Sequence, residues 1–346
     1  MASTDKVGYV RLGNSGLKVS QIVLGCMTYG DTAWQPWLLD EAKALPLIKH
    51  AYDRGINTWD VADTYSNGAS EEILRKAMTK YDIPRSRVVI MSKCFHYVDE
   101  SRGPLNASTF GINDGDQVNR VGLSRKHIFD AVDRSVERLG TYIDVLQIHR
   151  LDRETPMEEI MKALNDVIES GKVRYIGASS MAAWEFQMLQ SIAEKHGWHK
   201  FISMQGFYNL LYREEEREMF PYCQATNVGL LPWSPLAAGV LAHGWTDRSD
   251  KREEQDVFLK ALFRNGEDQT AKVIVGRVEK LATEKGVSMA QVATAWVLSK
   301  RGAAPILGLD SVERIDQAVD ALKVSLTEAE VQYLEEPYVP KQAMTF

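Results

Sequence analysis

Short apolar segments alternate with longer amphipathic segments from about residue 21 to residue 322, and this alternation constrains the fold more than any other feature. Apolar runs of this length predict buried strands, and the longer periodic segments predict helices. The predicted strands cover 21–24, 56–60, 88–92, 143–148, 173–176, 201–204, 228–231 and 304–307. Eight strands, each followed by a helix, predict an α/β fold, the (β/α)8 TIM barrel.

Local signals support this pattern. The predicted helices cover 40–54, 69–79, 124–139, 156–170, 181–196, 213–225, 271–285, 288–300 and 311–322. Ser124 and Ser311 are candidate N-caps, and Gly171 is a candidate C-cap. Segments 9–12 and 17–19 flank a Gly-Asn-Ser-Gly turn and predict an N-terminal β-hairpin. A doubly wound open sheet is the alternative fold, but no Gly-x-Gly-x-x-Gly follows the first strand of the series.

Two long insertions, 94–123 and 237–270, each lie between a predicted strand and its helix. In a barrel such loops lie on the active face, where they often form lids or specificity elements. The alternative is that they are solvated surface insertions. No composition shift marks a domain boundary, so a single barrel domain over 1–346 is predicted.

Composition excludes several classes of function. A net charge of −6 argues against a nucleic-acid partner. No apolar stretch reaches the roughly 20 residues that a membrane span needs, and the N-terminus has no signal-peptide core. The 3 cysteines are widely spaced and odd in number, which favours reduced thiols and a cytoplasmic location.

Asp60, Tyr65, Lys93 and His149 lie at or just beyond the ends of predicted strands. Strand ends of a parallel α/β fold converge on a ligand. Reduction of a carbonyl needs a proton on its oxygen, and a tyrosine whose pKa is lowered by a nearby lysine can donate it. A carboxylate would hold the lysine, and a histidine would hold the substrate oxygen.

Each of these residues also has a structural interpretation. Asp60 alone could be a strand-end cap, Tyr65 a packing residue and His149 a core histidine. A metal site would combine His149 with Asp144, Asp152 or His96, but no paired ligand spacing supports it. A Ser/His/Asp hydrolase is disfavoured because Gly-x-Ser-x-Gly is absent.

The segment 55–68, Gly-Ile-Asn-Thr-Trp-Asp-Val-Ala-Asp-Thr-Tyr-Ser-Asn-Gly, resembles the aldo-keto reductase signature, with the aspartate five positions before the tyrosine. Ser92-Lys93 and the segment 144–149 resemble the family's other two catalytic elements. The resemblance runs from about residue 12 to 321. The tracts 208–216 and 334–338 are similar to the microbial and fungal branch that includes versiconal hemiacetal acetate reductases.

The resemblance implies metal-free carbonyl reduction, with hydride from the nicotinamide C4 of NAD(P)H and a proton from Tyr65. Asp60, Tyr65, Lys93 and His149 would be the catalytic residues. It also implies a set of cofactor contacts. These are Met27, Asp60, Ser179, Ser180, Gln205, Trp233, Ser234, Pro235, Leu236, Ala237, Gly308, Asp310, Arg314, Gln317 and Ala318.

Within that set, Trp233 would stack on the nicotinamide ring, and 234–237 would wrap the pyrophosphate. Arg314 matches the position that binds the 2′-phosphate in NADPH-dependent members. NADPH is therefore the predicted cofactor. Asp310 and Ala318 depart from the family pattern and leave NADH open.

Two other functions remain open. The chain could be a cofactor-binding regulatory subunit, as the potassium-channel β subunits of the same family are. It could also be a Schiff-base isomerase or aldolase acting through Lys93. A small carbonyl compound is the predicted substrate, but the sequence does not identify it or the oligomeric state. Trp34, Trp37, Phe95, Phe207 and Tyr208 are the aromatic candidates for the pocket wall.

Overall fold

The computed structural model describes residues 6–99, 101, 103, 112–247, 251–263 and 268–344. An antiparallel hairpin comes first, formed by β1 (Tyr9–Arg11) and β2 (Lys18–Ser20). Eight parallel strands follow in one sheet. They are β3 (Val23–Gly25), β4 (Thr58–Asp60), β5 (Val89–Cys94), β6 (Ile143–Ile148), β7 (Val173–Ser179), β8 (Phe201–Gln205), β9 (Gly229–Leu230) and β10 (Ile306–Gly308).

The sheet closes on itself. Its strand order is β10-β3-β4-β5-β6-β7-β8-β9, so each strand pairs with the next one along the chain. Parallel bridges join Leu230 to Ala303 and Trp233 to Ile306, which connects the end of the series back to β10. The (β/α)8 barrel predicted from the alternation is therefore confirmed, together with its N-terminal hairpin.

Helices surround the barrel. They are α1 (Glu41–Asp53), α2 (Ala69–Lys80), α3 (Arg125–Leu139), α4 (Met157–Glu169), α5 (Ala183–His196), α6 (Met219–Thr226), α7 (Lys251–Gln255), α8 (Val257–Phe263), α9 (Gln269–Lys285), α10 (Met289–Leu298), α11 (Val312–Asp320) and α12 (Glu328–Glu335). The predicted caps are confirmed. Ser124 accepts the amide of His127, Ser311 accepts that of Arg314, and Gly171 follows α4 with a φ of 76°.

The structure corrects the predicted secondary structure in three places. The single helix predicted over 213–225 is a 3-10 turn at Glu214–Glu216 followed by α6, because Pro221 is tolerated only in the first turn of a helix. The segment 237–270 holds α7 and α8 instead of loop alone. α12 was missed, although Thr327 and Glu330 form a capping box that marks its start.

Alternation along the strands separates two cores. Val89 and Met91 of β5 point into the barrel and pack with Leu12 and Val19 of the hairpin. The hairpin therefore closes the end of the barrel at which the strands begin. Ile90 and Cys94 point outward and pack beneath the helices. The inward face continues to Lys93, at the open end of the barrel.

No helix among the described residues is long and apolar enough to cross a membrane. All three cysteines, Cys26, Cys94 and Cys223, are buried free thiols.

Candidate active site

Strand periodicity brings the four predicted catalytic residues together at the open end of the barrel. Asp60 is the last residue of β4, and Lys93 lies on the inward face of β5. His149 follows β6 directly, and its amide bonds to the carbonyl of Cys94. Tyr65 opens the turn between β4 and α2. Because neighbouring parallel strands end at the same edge, these four residues share one site although they are far apart in the sequence.

The Lys93 ammonium is the centre of this site. Nζ donates to Oδ1 of Asp60 at 2.5 Å, to the carbonyl of Val61 at 3.0 Å and to the hydroxyl of Tyr65 at 3.2 Å. Lys93 is 1 % exposed and Asp60 is 3 % exposed. A buried ammonium with three acceptors is fixed in position and compensated in charge.

The second oxygen of Asp60 is also occupied. Oδ2 accepts a hydrogen bond from Nε2 of Gln147 at 2.9 Å and another from Nε2 of Gln205 at 2.9 Å. Nε2 of Gln205 also lies 2.8 Å from Oε1 of Gln147. All three side chains are buried, so this network holds the carboxylate at one orientation.

Burial and charge act on Tyr65 in opposite directions. Burial raises the pKa of Tyr65 above its ordinary value of 10.0, while the charge and hydrogen bond of Lys93 lower it. The burial effect is the larger, so the expected lowering of the Tyr65 pKa does not hold for the free protein. The phenol is therefore protonated near neutral pH.

Lys93 remains a cation. Burial alone would lower its pKa, but Asp60 and Tyr65 together raise the pKa of Lys93 above 10.5. A charged ammonium next to a phenol stabilises the phenolate that remains after proton donation. The same charge opposes a nucleophilic role for Lys93, because a Schiff base forms only from the neutral amine.

The imidazole of His149 completes the group of four. Its ring meets the ring of Tyr65 edge to face, with 5.8 Å between centroids, and meets His96 at 4.9 Å. Burial and the neighbouring cations Arg150 and Lys93 hold the pKa of His149 well below 6.5. His149 is therefore neutral, which suits a hydrogen bond to a substrate oxygen.

Three residues near the site were not identified from the sequence as site residues with a role. Gln147 lies two positions before His149 on the same face of β6, so strand periodicity could have revealed it. Burial lowers the pKa of His96 to about 3. Nη1 of Arg150 donates to the carbonyl of His149 at 2.6 Å. No local pattern in the sequence marks Arg150.

The predicted nicotinamide contacts lie around the same end. Ser179 donates to the carbonyl of Gln205 at 2.9 Å, and Ser180 accepts from Nε1 of Trp233 at 3.2 Å. The half-buried ring of Trp233 packs against Phe207, with 4.5 Å between centroids. Ser180 has a φ of 44°, an uncommon conformation for serine that is typical of constrained site backbones.

The predicted pyrophosphate loop has unusual backbone geometry. Ser234, Ala237 and Ala238 have φ values of 53°, 50° and 57°. Left-handed alanines are costly, and backbone hydrogen bonds hold this turn in shape, from the amide of Ala237 to Ser234 and from that of Gly239 to Leu236. Pro235 is buried and Leu236 is half-buried between them. Left-handed backbone of this kind is one way in which proteins form a concavity for an anion such as a pyrophosphate.

The remaining predicted cofactor contacts are Met27, after β3, and the residues of the adenosine site, at the β10 end and in α11. Met27 is half-buried in the turn after β3, and Gly308 is exposed at the end of β10. Arg314 is exposed, and both carboxylate oxygens of Asp310 lie 2.8 Å from its Nη1. Gln317 is half-buried, whereas Ala318 is 6 % exposed and packs in the core.

Two of the aromatic candidates for the pocket wall, Tyr208 and Trp37, lie in different surroundings. Tyr208 is fully buried and stacks on Trp296 at 5.0 Å, which places it in the core behind the barrel. Trp37 packs under the guanidinium of Arg252 at 4.6 Å, so the segment containing α7 reaches the loop after β3.

Parts of the two predicted insertions lie outside the described residues, namely 100, 102, 104–111, 248–250 and 264–267.

The described residues contain no group of three or more histidine, cysteine, aspartate or glutamate side chains placed to hold a metal ion. The open end brings together a phenol, an ammonium, a carboxylate and an imidazole.

Comparison with known proteins gives the same family. The model of the aldo/keto reductase family matches residues 21–338. Versiconal hemiacetal acetate reductase of Aspergillus parasiticus is 63% identical over 334 residues, which is 96% of this chain and 97% of that protein. A putative aryl-alcohol dehydrogenase of Schizosaccharomyces pombe is 54% identical, with 98% of each chain covered. An aldo-keto reductase of Fusarium vanettenii is 48% identical, covering 98% of this chain and 93% of its own. The chain therefore belongs to the aldo/keto reductase family of oxidoreductases.

Proposed function

We propose that this protein reduces an aldehyde or ketone to an alcohol with NADPH and that Tyr65 donates the proton. The observation that carries the proposal is the buried chain from Asp60 through Lys93 to the Tyr65 hydroxyl, with contacts of 2.5 and 3.2 Å. A protonated phenol next to a fixed ammonium is a proton donor whose conjugate base is stabilised.

Each side chain has a distinct task in this mechanism. Tyr65 gives its proton to the substrate oxygen, and Lys93 stabilises the phenolate that forms. Asp60 keeps Lys93 charged, while Gln147 and Gln205 hold Asp60. His149, neutral near pH 7, hydrogen-bonds the substrate oxygen. The cofactor, when bound, supplies the hydride from C4 of its nicotinamide.

The residues that would hold the cofactor fit such a group. The half-buried indole of Trp233 offers a stacking surface, and the left-handed run at Ser234, Ala237 and Ala238 suits the pyrophosphate. Arg314 supports the phosphorylated form of the cofactor, because a guanidinium pairs well with a phosphate.

Aromatic carbonyls are the first substrates to test. Two of the relatives are named for an aryl alcohol and for versiconal hemiacetal acetate. Phe95 is half-buried beside His96, with 5.0 Å between ring centroids, and is the candidate for an apolar wall of the site.

We also propose that the chain forms one domain. Buried residues from both ends, such as Val7 and Leu334, belong to one hydrophobic cluster.

The three buried free thiols support the predicted cytoplasmic location.

The test is the variant Tyr65→Phe, which removes the donor oxygen and keeps the ring. Steady-state reduction of a panel of aryl aldehydes and ketones should fall by about 10²-fold to 10⁴-fold. Fluorescence titration should give unchanged binding of NADPH. Tyr97→Phe is the matched control, because Tyr97 is another tyrosine at the same end and packs against Arg120. Full turnover of Tyr65→Phe would contradict the mechanism.

A further inference from the structure

The turn that carries Tyr65 has a strained backbone. Ser66 and Asn67, the two residues that follow the tyrosine, have φ/ψ angles of 50°/38° and 50°/46°. Gly68 comes next with a φ of 89°. A left-handed conformation is costly for most residues, and asparagine tolerates it better than most. Strain of this kind persists only where surrounding contacts impose it.

Asn67 makes those contacts on one side of the turn. Its Nδ2 donates to the carbonyl of Gly103 at 3.0 Å, and its Oδ1 accepts from the amide of Asp99 at 3.1 Å. Both partners belong to the segment that follows β5, the strand of Lys93. Both polar atoms of the half-buried Asn67 side chain therefore hydrogen-bond to that segment.

The chain at Asp99 is arranged to receive this side chain. One carboxylate oxygen of Asp99 accepts from the amide of Ser101 at 2.9 Å and from its hydroxyl at 2.7 Å. The other oxygen accepts from the amide of Gly103 at 3.2 Å. These bonds link Asp99 to Ser101 and Gly103, and the Asp99 amide and the Gly103 carbonyl both face Asn67.

Ser66 makes a contact on the opposite side of the turn. Its hydroxyl accepts from the amide of Asp31 at 3.0 Å, in the segment that follows β3. A Cβ at Gly30 would lie 1.8 Å from that hydroxyl, so only glycine permits this approach. The tyrosine turn is therefore attached to segments from the strands on both sides of β4.

We propose that Asn67 is a positioning residue that couples the segment after β5 to the turn carrying Tyr65. It thereby fixes the position of the substrate pocket relative to the proton donor. This inference rests on the proposed reductase function. Asn67 does not touch the reacting atoms in this role. Its left-handed backbone directs its side chain to the segment after β5, and its two hydrogen bonds fix the distance between that segment and the turn.

The main test is Asn67→Gly in the full chain, since glycine keeps the left-handed backbone and removes both hydrogen bonds. The KM for the carbonyl substrate should rise and kcat/KM should fall about tenfold, while NADPH binding by fluorescence stays unchanged. Hydrogen exchange followed by NMR should be faster at the amide of Asp99, because that N–H loses its acceptor.

A second variant separates hydrogen bonding from backbone strain. Asn67→Ala should match Asn67→Gly in KM but unfold at a lower temperature, because alanine is strained at a φ of 50°. Asn119→Gly is the matched control. Asn119 is an exposed asparagine with a φ of 61° in the same insertion, and this variant should leave both kcat/KM and the exchange at Asp99 unchanged.

The exchange measurement does not depend on turnover, so it distinguishes this inference from the reductase proposal. Unchanged protection of the Asp99 amide in Asn67→Gly overturns the coupling. Faster exchange with unchanged KM and kcat overturns the positioning role. If Tyr65→Phe were fully active while exchange at Asp99 rose in Asn67→Gly, the catalytic proposal would fail and the structural coupling would stand.

Discussion

Asp310 lies against the residue predicted to bind the cofactor's 2′-phosphate. Both of its carboxylate oxygens lie 2.8 Å from Nη1 of Arg314, one turn further along the chain. A 2′-phosphate at Arg314 must therefore compete with a carboxylate that is already in place. The two side chains are 36% and 44% exposed, so the ion pair is screened by solvent and its effect is moderate.

The variant Asp310→Asn should bind NADPH more tightly than the native protein by about threefold to tenfold, because the competing charge is removed. Binding of NADH should change little, since NADH has no 2′-phosphate, and it provides the internal control. Fluorescence titration at low and high salt measures both. A native protein that prefers NADH, with no change in Asp310→Asn, would show that Arg314 does not bind the phosphate.

The buried pair of Asp60 and Lys93 predicts a strong effect on stability. Asp60→Asn leaves the Lys93 ammonium buried without its counter-charge and should lower the free energy of unfolding by about 3–5 kcal/mol. The double variant Asp60→Asn/Lys93→Met should recover part of this loss, because the isolated buried charge is gone. Urea denaturation of the native protein, both single variants and the double variant measures the coupling. Additive losses would indicate that the pair is not coupled.

The protonation states of Tyr65 and His149 predict the pH profile of carbonyl reduction. The pKa of His149 lies well below 6.5, so no loss of activity is expected as pH passes through that value. Tyr65 must be protonated to donate, and its pKa is raised above 10.0, so the rate should fall only at strongly alkaline pH. Measurement of kcat/KM from pH 5 to 11 tests this. An inflection near the ordinary histidine pKa would assign the proton step to His149.

Asp63 predicts how stability changes with pH. Its carboxylate is 1 % exposed, and no side chain among the described residues donates a hydrogen bond to it. The nearby cation, Arg138, pairs with the neighbouring Glu71, which accepts a hydrogen bond from its Nε at 2.7 Å. Burial and Glu71 raise the pKa of Asp63 well above 3.8.

A folded-state pKa above the unfolded value means that the folded state holds more protons. The stability that this group contributes is present below pH 3.8 and is lost as pH rises through its folded pKa. Asp63→Asn removes this dependence and should gain stability relative to the native protein as pH rises above 4. Thermal melting from pH 4 to 9 compares the two. Parallel curves would mean that Asp63 is ionised in the folded protein.

Two tracts that the sequence associated with one branch of the family are neighbours in the structure. The hydroxyl of Tyr338 accepts from the amide of Arg213 at 2.9 Å and donates to Glu214 at 2.6 Å. Arg213 also bonds to Glu335 of α12 at 2.8 Å. The two tracts therefore form a single contact between distant parts of the chain.

The sequence by itself determined the alternation of strands and helices, and with it the barrel. Periodicity is a local property, so it also determined that Asp60, Lys93 and His149 share the end at which the strands finish. Helix caps at Ser124 and Ser311 followed from side-chain chemistry within one turn. Where a local rule was overlooked, as at Thr327 for α12, the signal was still present.

Only the tertiary structure decided which partners surround each site residue. Gln205 bonds to Asp60 across 145 positions of sequence, and Asn67 bonds to a segment more than 30 residues away. It also decided that burial outweighs Lys93 in setting the pKa of Tyr65. Desolvation depends on all the atoms around a group, and most of those atoms come from residues that are distant along the chain.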